Sequence, residues 1–236
     1  MRLSPALAAM ASYPFVRLDE AKAAARARGI ELIDFGMGEP NEDTEPFIRE
    51  ALVEALAPRL PYPRALGLPD LRAAIADWVR LRFGVEVSPD EEVVPTLGSK
   101  EAIFSFPQAL VGPGKDVVLI PDPAYPVYER GTLVAGAEPV ALPLREEHGF
   151  LPDFDAVPDE LWPRVACVWV NYPNNPTGAI ADVPFYEALA ERAAENDFWV
   201  CSDEAYSEIW FDETPVSALQ AVDRSRIAVF NTLSKR

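Results

Sequence analysis

The sequence predicts an α/β fold: a mostly parallel sheet with helices on both faces. Two observations carry this reading. Apolar, β-branched runs alternate along the chain with stretches of helical periodicity. Several of those runs, such as Val165-Ala166-Cys167-Val168-Trp169-Val170, are apolar without interruption, as strands are when both faces of their sheet are covered. There is no internal repeat.

The elements follow in order. Leu18–Arg28 reads as a helix stopped by Gly29, and Glu31–Phe35 as a strand. Pro46–Ala57 reads as a helix capped by Thr44, and Pro69–Phe83 as a helix closed by Gly84. Val93–Thr96 has strand character and runs into a helix over Ser99–Leu110. The strand Asp116–Ile120, helix Pro126–Val134 and strand Pro139–Leu142 come next, followed by the long strand Val165–Asn171. Asp182 is placed to cap a helix over Pro184–Glu195, and the strands Phe198–Ser202 and Ile227–Thr232 complete the pattern.

Bulk properties narrow the function classes. The chain has 236 residues, enough to bury a proper core, with 49% hydrophobic and 25% charged residues. A net charge of −17 argues against nucleic acid or an anionic membrane as the main partner, although a local basic pocket can still hold an anion. The 24 prolines, roughly twice average usage, sit mostly between apolar runs and punctuate loops. Cys167 and Cys201 lie inside strand-like runs without CxxC spacing and read as buried reduced thiols. No apolar run approaches the roughly 20 residues of a spanning helix. The opening Ala9-Met10-Ala11 has the form of a signal cleavage site, but its apolar stretch is short, broken by Pro5 and preceded by a single Arg. A cytoplasmic location is expected.

Ligands of open α/β sheets sit beyond the carboxyl ends of the strands. Asn175, Asp203 and Lys235 each follow on such an end, so three separate strands deliver polar groups to one sheet edge. Taken singly, each has an ordinary explanation. Lys235 alone is a solvated terminal lysine, Asp203 a helix cap or turn aspartate, and Tyr206 and Tyr125 core aromatics. Asn175, in Asn174-Asn175-Pro176-Thr177-Gly178, belongs to a turn-forming sequence. Gly98-Ser99-Lys100 alone is a helix N-cap. Together they supply a lysine for a Schiff base, a carboxylate for a pyridinium nitrogen, amide and phenol donors for an oxygen, a ring to stack on, and free N–H groups with a hydroxyl for a phosphate. Pyridoxal 5′-phosphate is the cofactor that asks for that set.

These segments, running from Gly36-Met37-Gly38-Glu39-Pro40 to Ser234-Lys235, resemble the fold-type I, class I/II aminotransferases. The order and spacing of Asn-Asn-Pro-Thr-Gly, Asp-Glu-Ala-Tyr and Ser-Lys-Arg make the likeness specific. The resemblance implies that Lys235 forms the internal aldimine and shuttles the substrate proton, that Asp203 holds the pyridine nitrogen, and that Asn175 and Tyr206 hold the 3′ oxygen. It also implies that Tyr125 stacks on the ring, that Gly98, Ser99, Lys100, Thr232 and Ser234 surround the phosphate, and that Gly38 approaches the substrate carboxylate. Tyr62 is similar to a tyrosine that reaches the phosphate of the neighbouring subunit, which implies a homodimer.

In domain terms, residues 1–41 are expected to form an arm and part of a small domain, and residues 42–236 a large cofactor-binding domain. Members of the family continue well past the lysine, with a further phosphate arginine, an arginine for the substrate carboxylate and a strand that lies between early and late strands of the sheet. The resemblance therefore implies a fragment, incomplete at its C-terminus, poorly stable and inactive alone, with a gap in its sheet.

The implied activity is transfer of an amino group between an amino acid and a 2-oxo acid. Segments such as Tyr13-Pro14-Phe15-Val16-Arg17-Leu18 lean toward N-succinyl-diaminopimelate or LL-diaminopimelate, with glutamate as the second amino acid. A C–S lyase acting by β-elimination shares the same cofactor contacts, and a non-catalytic binding domain retaining the fold is the reading from a different class.

Overall fold

The computed structural model describes residues 4, 7, 8, 10, 14–34, 42–59 and 62–235. The chain forms two compact units, Met1–Pro63 and Arg64–Arg236.

The first unit carries helices α1 (Pro14–Ala27) and α2 (Pro46–Ala55). Helix α1 ends just before Gly29, as its sequence predicts. The residue at the N-cap of α2 is Glu45 and not Thr44, because Pro46 takes the first helical position, where its missing N–H costs nothing. Helix α2 buries none of its residues, and Phe47, Leu52, Val53 and Leu56 are exposed along it. Residues 31–34 form no strand; Ile33 is exposed and Asp34 pairs with Lys22 at 2.9 Å.

The second unit begins with α3 (Pro69–Phe83), which ends at Gly84 in the left-handed region. Arg72 on its inner face is almost fully buried. It donates to the carbonyls of Leu66, Gly67 and Pro89 and to Asp90, which ties the chain on either side of the helix together. The expected strand Val93–Thr96 does not form. Pro95 has no N–H to give to a ladder and its ring lies against Gly67, while Val94 is exposed. The expected helix Ser99–Leu110 is two helices, α4 (Ser99–Ser105) and α5 (Pro107–Leu110), because Pro107 cannot continue the hydrogen-bond ladder of α4.

The sheet is then built from β1 (Val117–Asp122), β2 (Glu138–Pro143), β3 (Val165–Asn171), β4 (Trp199–Asp203) and β5 (Ile227–Phe230). Helix α6 (Val127–Ala135) joins β1 to β2, and α7 (Val183–Asn196) joins β3 to β4. The order among the described strands is β2-β1-β3-β4-β5, every pair parallel. Asp182 caps α7 by accepting the Phe185 N–H at 2.9 Å. No helix among the described residues is long and apolar enough to cross a membrane.

Alternation along the strands splits the core in two. Val117, Leu119, Val168, Val170 and Val200 face α7, where Tyr186, Leu189 and Ala193 close over them. Val118, Ile120, Cys167, Trp169, Cys201 and Phe230 face the opposite way, against Ile103 of α4 and Tyr128 of α6. Both cysteines are buried and unbridged.

Helix α6 meets α4 at Gly131, where a Cβ would lie 2.7 Å from the Phe104 carbonyl oxygen. Gly131→Ala is therefore expected to cost roughly 1–3 kcal/mol, because two backbones would have to part. Urea unfolding of the variant checks this; an unchanged midpoint would contradict the close approach.

Candidate functional site

Because all five strands are parallel, their carboxyl ends share one edge. Register sets the order there. Asn171 at the end of β3 lies beside Asp203 at the end of β4, and Asp203 lies beside Phe230 at the end of β5. The loops that follow these ends carry Asn175, Tyr206 and the segment from Thr232 to Lys235.

Asp203 is the last residue of β4 and is 4% exposed. Its carboxylate accepts the Tyr128 hydroxyl at 2.7 Å and the Ala205 N–H at 3.2 Å. Burial pushes the Asp203 carboxyl above its usual range, against the lowering by those two donors. A buried carboxylate held in this way fits a cation placed against it. Tyr128 is itself fully buried, stacked on Trp169 with ring centroids 4.9 Å apart, and its phenol is pushed up by burial and by the Asp203 charge. It is a standing donor to Asp203.

Asn171 organises the neighbouring loop. Its side-chain amide donates to the Asp203 carbonyl at 2.8 Å, and its side-chain oxygen accepts the Asn175 N–H at 2.8 Å. The turn beyond is closed by Asn174, whose side-chain oxygen takes the Thr177 hydroxyl at 2.7 Å and the Thr177 N–H at 3.1 Å. The Asn175 side chain is thereby delivered to Tyr206, donating to its phenol oxygen at 3.3 Å. Burial, and next the Asp203 charge, raise the Tyr206 phenol, so it keeps its proton and can donate it onward. Two donors from two different strand ends converge on one point beside a buried acid.

Tyr125 lies in the turn after β1, half-buried and edge-on to Tyr128 at 5.8 Å. Gly98 holds φ 83 at the start of α4, with Ser99 half-buried and Lys100 exposed. The Leu97 N–H just before them is taken by the Glu101 carboxylate at 2.6 Å. Phe106, at the far end of α4, meets Phe230 edge-on at 5.2 Å, which sets the helix against the end of β5.

The last strand is shorter than its sequence predicts. It ends at Phe230, because the Asn231 side chain takes over the backbone partners: its oxygen accepts the Thr232 N–H at 2.7 Å, and its amide donates to the Glu204 carbonyl and the Ser207 hydroxyl. Lys235 is thus not on a strand end but in the 3₁₀ turn Leu233–Lys235 beyond it, half-buried. Thr232 and Ser234 face each other in the same turn, Oγ1 to Oγ at 3.1 Å.

Tyr62 belongs to the first unit and is 94% exposed. Gly38 lies outside the described residues. Tyr128, Asn171 and Asn231 were missed as site residues; the spacing Tyr125-Pro126-Val127-Tyr128, which returns to one side of a helix start, was the available signal for the first. Among the described residues no cluster of His, Cys, Asp or Glu could hold a metal ion.

Comparison with known proteins gives a consistent result. The family model described as Aminotransferase class I and II matches residues 30–236. An LL-diaminopimelate aminotransferase of Dehalococcoides mccartyi is 44% identical over 239 aligned residues, covering 100% of this chain and 61% of that protein. Among solved structures, substrate-bound BacF from Bacillus subtilis superposes with a TM-score of 0.92 at 36% identity, covering 100% of this chain and 60% of that one. A probable N-succinyldiaminopimelate aminotransferase from Thermus thermophilus follows with a TM-score of 0.85 at 32% identity, over 93% of this chain and 60% of that one. The chain thus spans about three fifths of the length of these relatives.

Proposed function

The chain belongs to the class I and II aminotransferase family, and from that premise we propose that it binds pyridoxal phosphate at the sheet edge and serves transfer of an amino group from an amino acid to a 2-oxo acid. The observation that carries the reading is the convergence of Asn175 and Tyr206, from separate strand ends, beside the buried Asp203. Pyridoxal phosphate, when bound, supplies an aldehyde that takes up amines and a protonated ring that draws electrons from the bonds of the attached carbon.

This chain's residues supply the rest. Asp203, fixed by Tyr128 and Ala205, holds the proton on the ring nitrogen. Tyr206 donates its O–H to the ring oxygen, and Asn175 sets the direction of that phenol. Tyr125 would pack against the ring. The amides after Gly98, with the hydroxyls of Ser99, Thr232 and Ser234 and the charge of Lys100, hold the phosphate. Lys235 would hold the aldehyde through its amine and would carry the proton at the substrate α-carbon.

The leading substrate is LL-diaminopimelate, supported by the relative in Dehalococcoides mccartyi, with 2-oxoglutarate as acceptor. A homodimer in the cytoplasm is part of the same proposal, supported by the bare apolar side of α2, by the exposed Tyr62, and by two buried unbridged cysteines. The test is a coupled assay with LL-diaminopimelate and 2-oxoglutarate, run on the protein at its full natural length, since these residues span about three fifths of the relatives they match. Glutamate formed in step with loss of diaminopimelate is expected. Pyruvate and ammonia released from cystathionine, without glutamate from any amino acid, would replace the transferase by a lyase.

A further inference from the structure

Beside the site lies an acid that the reading above does not use. Glu204 follows Asp203 in sequence, so strand alternation sends its side chain to the opposite face of the sheet, toward α7. It is 0% exposed. Its Oε1 accepts the Ser202 hydroxyl at 2.9 Å and the Ala218 N–H at 2.8 Å. Its Oε2 is buried without a hydrogen-bond partner, and so is the Tyr186 hydroxyl of α7.

The backbone of the same residue joins three pieces of the site. The Glu204 N–H donates to the Phe230 carbonyl at 2.8 Å, and the Glu204 carbonyl accepts from Asn231 at 3.1 Å and from the Ser207 N–H at 3.1 Å. The side chain adds a fourth piece, the capped 3₁₀ turn Ala218–Gln220 opened by Ser217. One residue therefore fastens the end of β4, the end of β5 and the Ser217–Gln220 turn together, directly between Asp203 and Tyr206.

We propose that Glu204 is a positioning residue for the cofactor site: a neutral, sealed carboxylic acid that locks the Asp203–Tyr206 turn in place and releases it on ionisation. The inference rests on the cofactor reading above, since it concerns the same turn.

Neutrality follows from the surroundings. The charged group acting on Glu204 is the Asp203 carboxylate, like in sign, while Ser202, Ser217 and the Ala218 N–H are neutral donors. Tyr186, from α7, is pushed up by burial and by Glu204 and stays neutral as well. Arg82, which reaches the nearby turn from α3, is engaged by Glu208 and by the carbonyls of Ser207 and Pro215. Burial first, then Asp203, push the Glu204 carboxyl up to about 7. In the unfolded chain the proton leaves near the ordinary 4.5, so the native state holds the extra proton between there and about 7. Stability from the neutral acid is thus present below the ordinary carboxylate range and is lost as pH rises toward 7.

The experiment uses Glu204→Gln, which keeps the Oε1 acceptor and cannot ionise. Thermal unfolding without cofactor and pyridoxal phosphate affinity by absorbance are each followed from pH 5 to pH 8 in both proteins. The wild type is expected to lose melting temperature with rising pH relative to the variant. Its affinity is expected to fall about tenfold against the variant by pH 8, where a group titrating near 7 leaves roughly a tenth of the molecules neutral. Parallel pH profiles for the two proteins in either measurement would overturn the proposal. If neither protein binds pyridoxal phosphate at any pH, the cofactor reading is what has failed, and the melting profiles alone still decide whether Glu204 is carried neutral. Should Glu204→Gln not fold, the wild type alone decides: a melting temperature and a pyridoxal phosphate affinity that both fall between pH 5 and pH 8 support the neutral lock, and values that stay flat over that range overturn it.

Discussion

In the protein at its full natural length, replacing Lys235 with alanine is expected to abolish covalent retention of pyridoxal phosphate and to cut transamination by about 10²–10⁴-fold from loss of the proton carrier alone. The fold should survive, because Lys235 sits half-buried in the 3₁₀ turn after β5, outside the sheet ladder and outside both core clusters. Its neighbours Thr232 and Ser234 keep their mutual hydrogen bond without it. An unchanged unfolding midpoint with lost turnover is therefore the expected pair of results. An added small amine that restores part of the rate would confirm that a missing amine, and not a displaced turn, is the defect. A variant that turns over within tenfold of the wild type would remove Lys235 from the mechanism.

The second large effect is expected at Asp203, where activity and stability should move in opposite directions. On the proposed reading, Asp203→Asn takes away the charge that would hold a proton on the ring nitrogen. Breaking a buried, hydrogen-bonded ion pair costs about 3–5 kcal/mol, on the order of 10²–10⁴-fold in rate if that pairing is made fully in the transition state. Without cofactor the balance reverses. Burial holds the Asp203 carboxyl above its ordinary value of 3.8, so the native state keeps its proton longer than the unfolded chain does. Stability is then lost as pH rises through that window, and a neutral Asn is spared the loss. The cofactor-free variant should melt at or above the wild type at pH 7, with no such gain at a pH below the ordinary carboxylate range. The Tyr128 hydroxyl can still donate to the Asn oxygen, so the surrounding packing remains. A variant that is both less stable and fully active would contradict both halves of the argument.

Much of this was legible in the residues, for identifiable reasons. The strand Val165–Asn171 could be bounded because an uninterrupted apolar run has one use in a chain of this type, burial on both faces. Asn175, Asp203 and Lys235 could be grouped because parallel strands deliver their carboxyl ends to one edge, whatever the distance in sequence, although Lys235 lies a 3₁₀ turn beyond its strand end. Local chemistry defeated the pattern elsewhere. Val93–Thr96 has strand composition, but Pro95 removes a donor and packs on Gly67 instead. The β5 boundary moved because the Asn231 side chain replaces backbone partners, something that composition does not reveal.

The residues missed at the site act through others. Asn171 is an amide at the end of an apolar run, and its work is to orient Asn175 and receive nothing from solvent. Glu204 follows Asp203 directly in sequence, and alternation about the strand end separates the two onto opposite faces, one toward Tyr128 and one toward Tyr186.

The claim on which the rest depends is that the Lys235 amine meets the aldehyde of the cofactor. Its direct test is to incubate the protein with pyridoxal phosphate, reduce with borohydride, digest, and locate the modified lysine by mass spectrometry. The chain holds only Lys22, Lys100, Lys115 and Lys235. A pyridoxyl group confined to Lys235 is predicted; stoichiometric label on Lys22, Lys100 or Lys115 with Lys235 unmodified would contradict it.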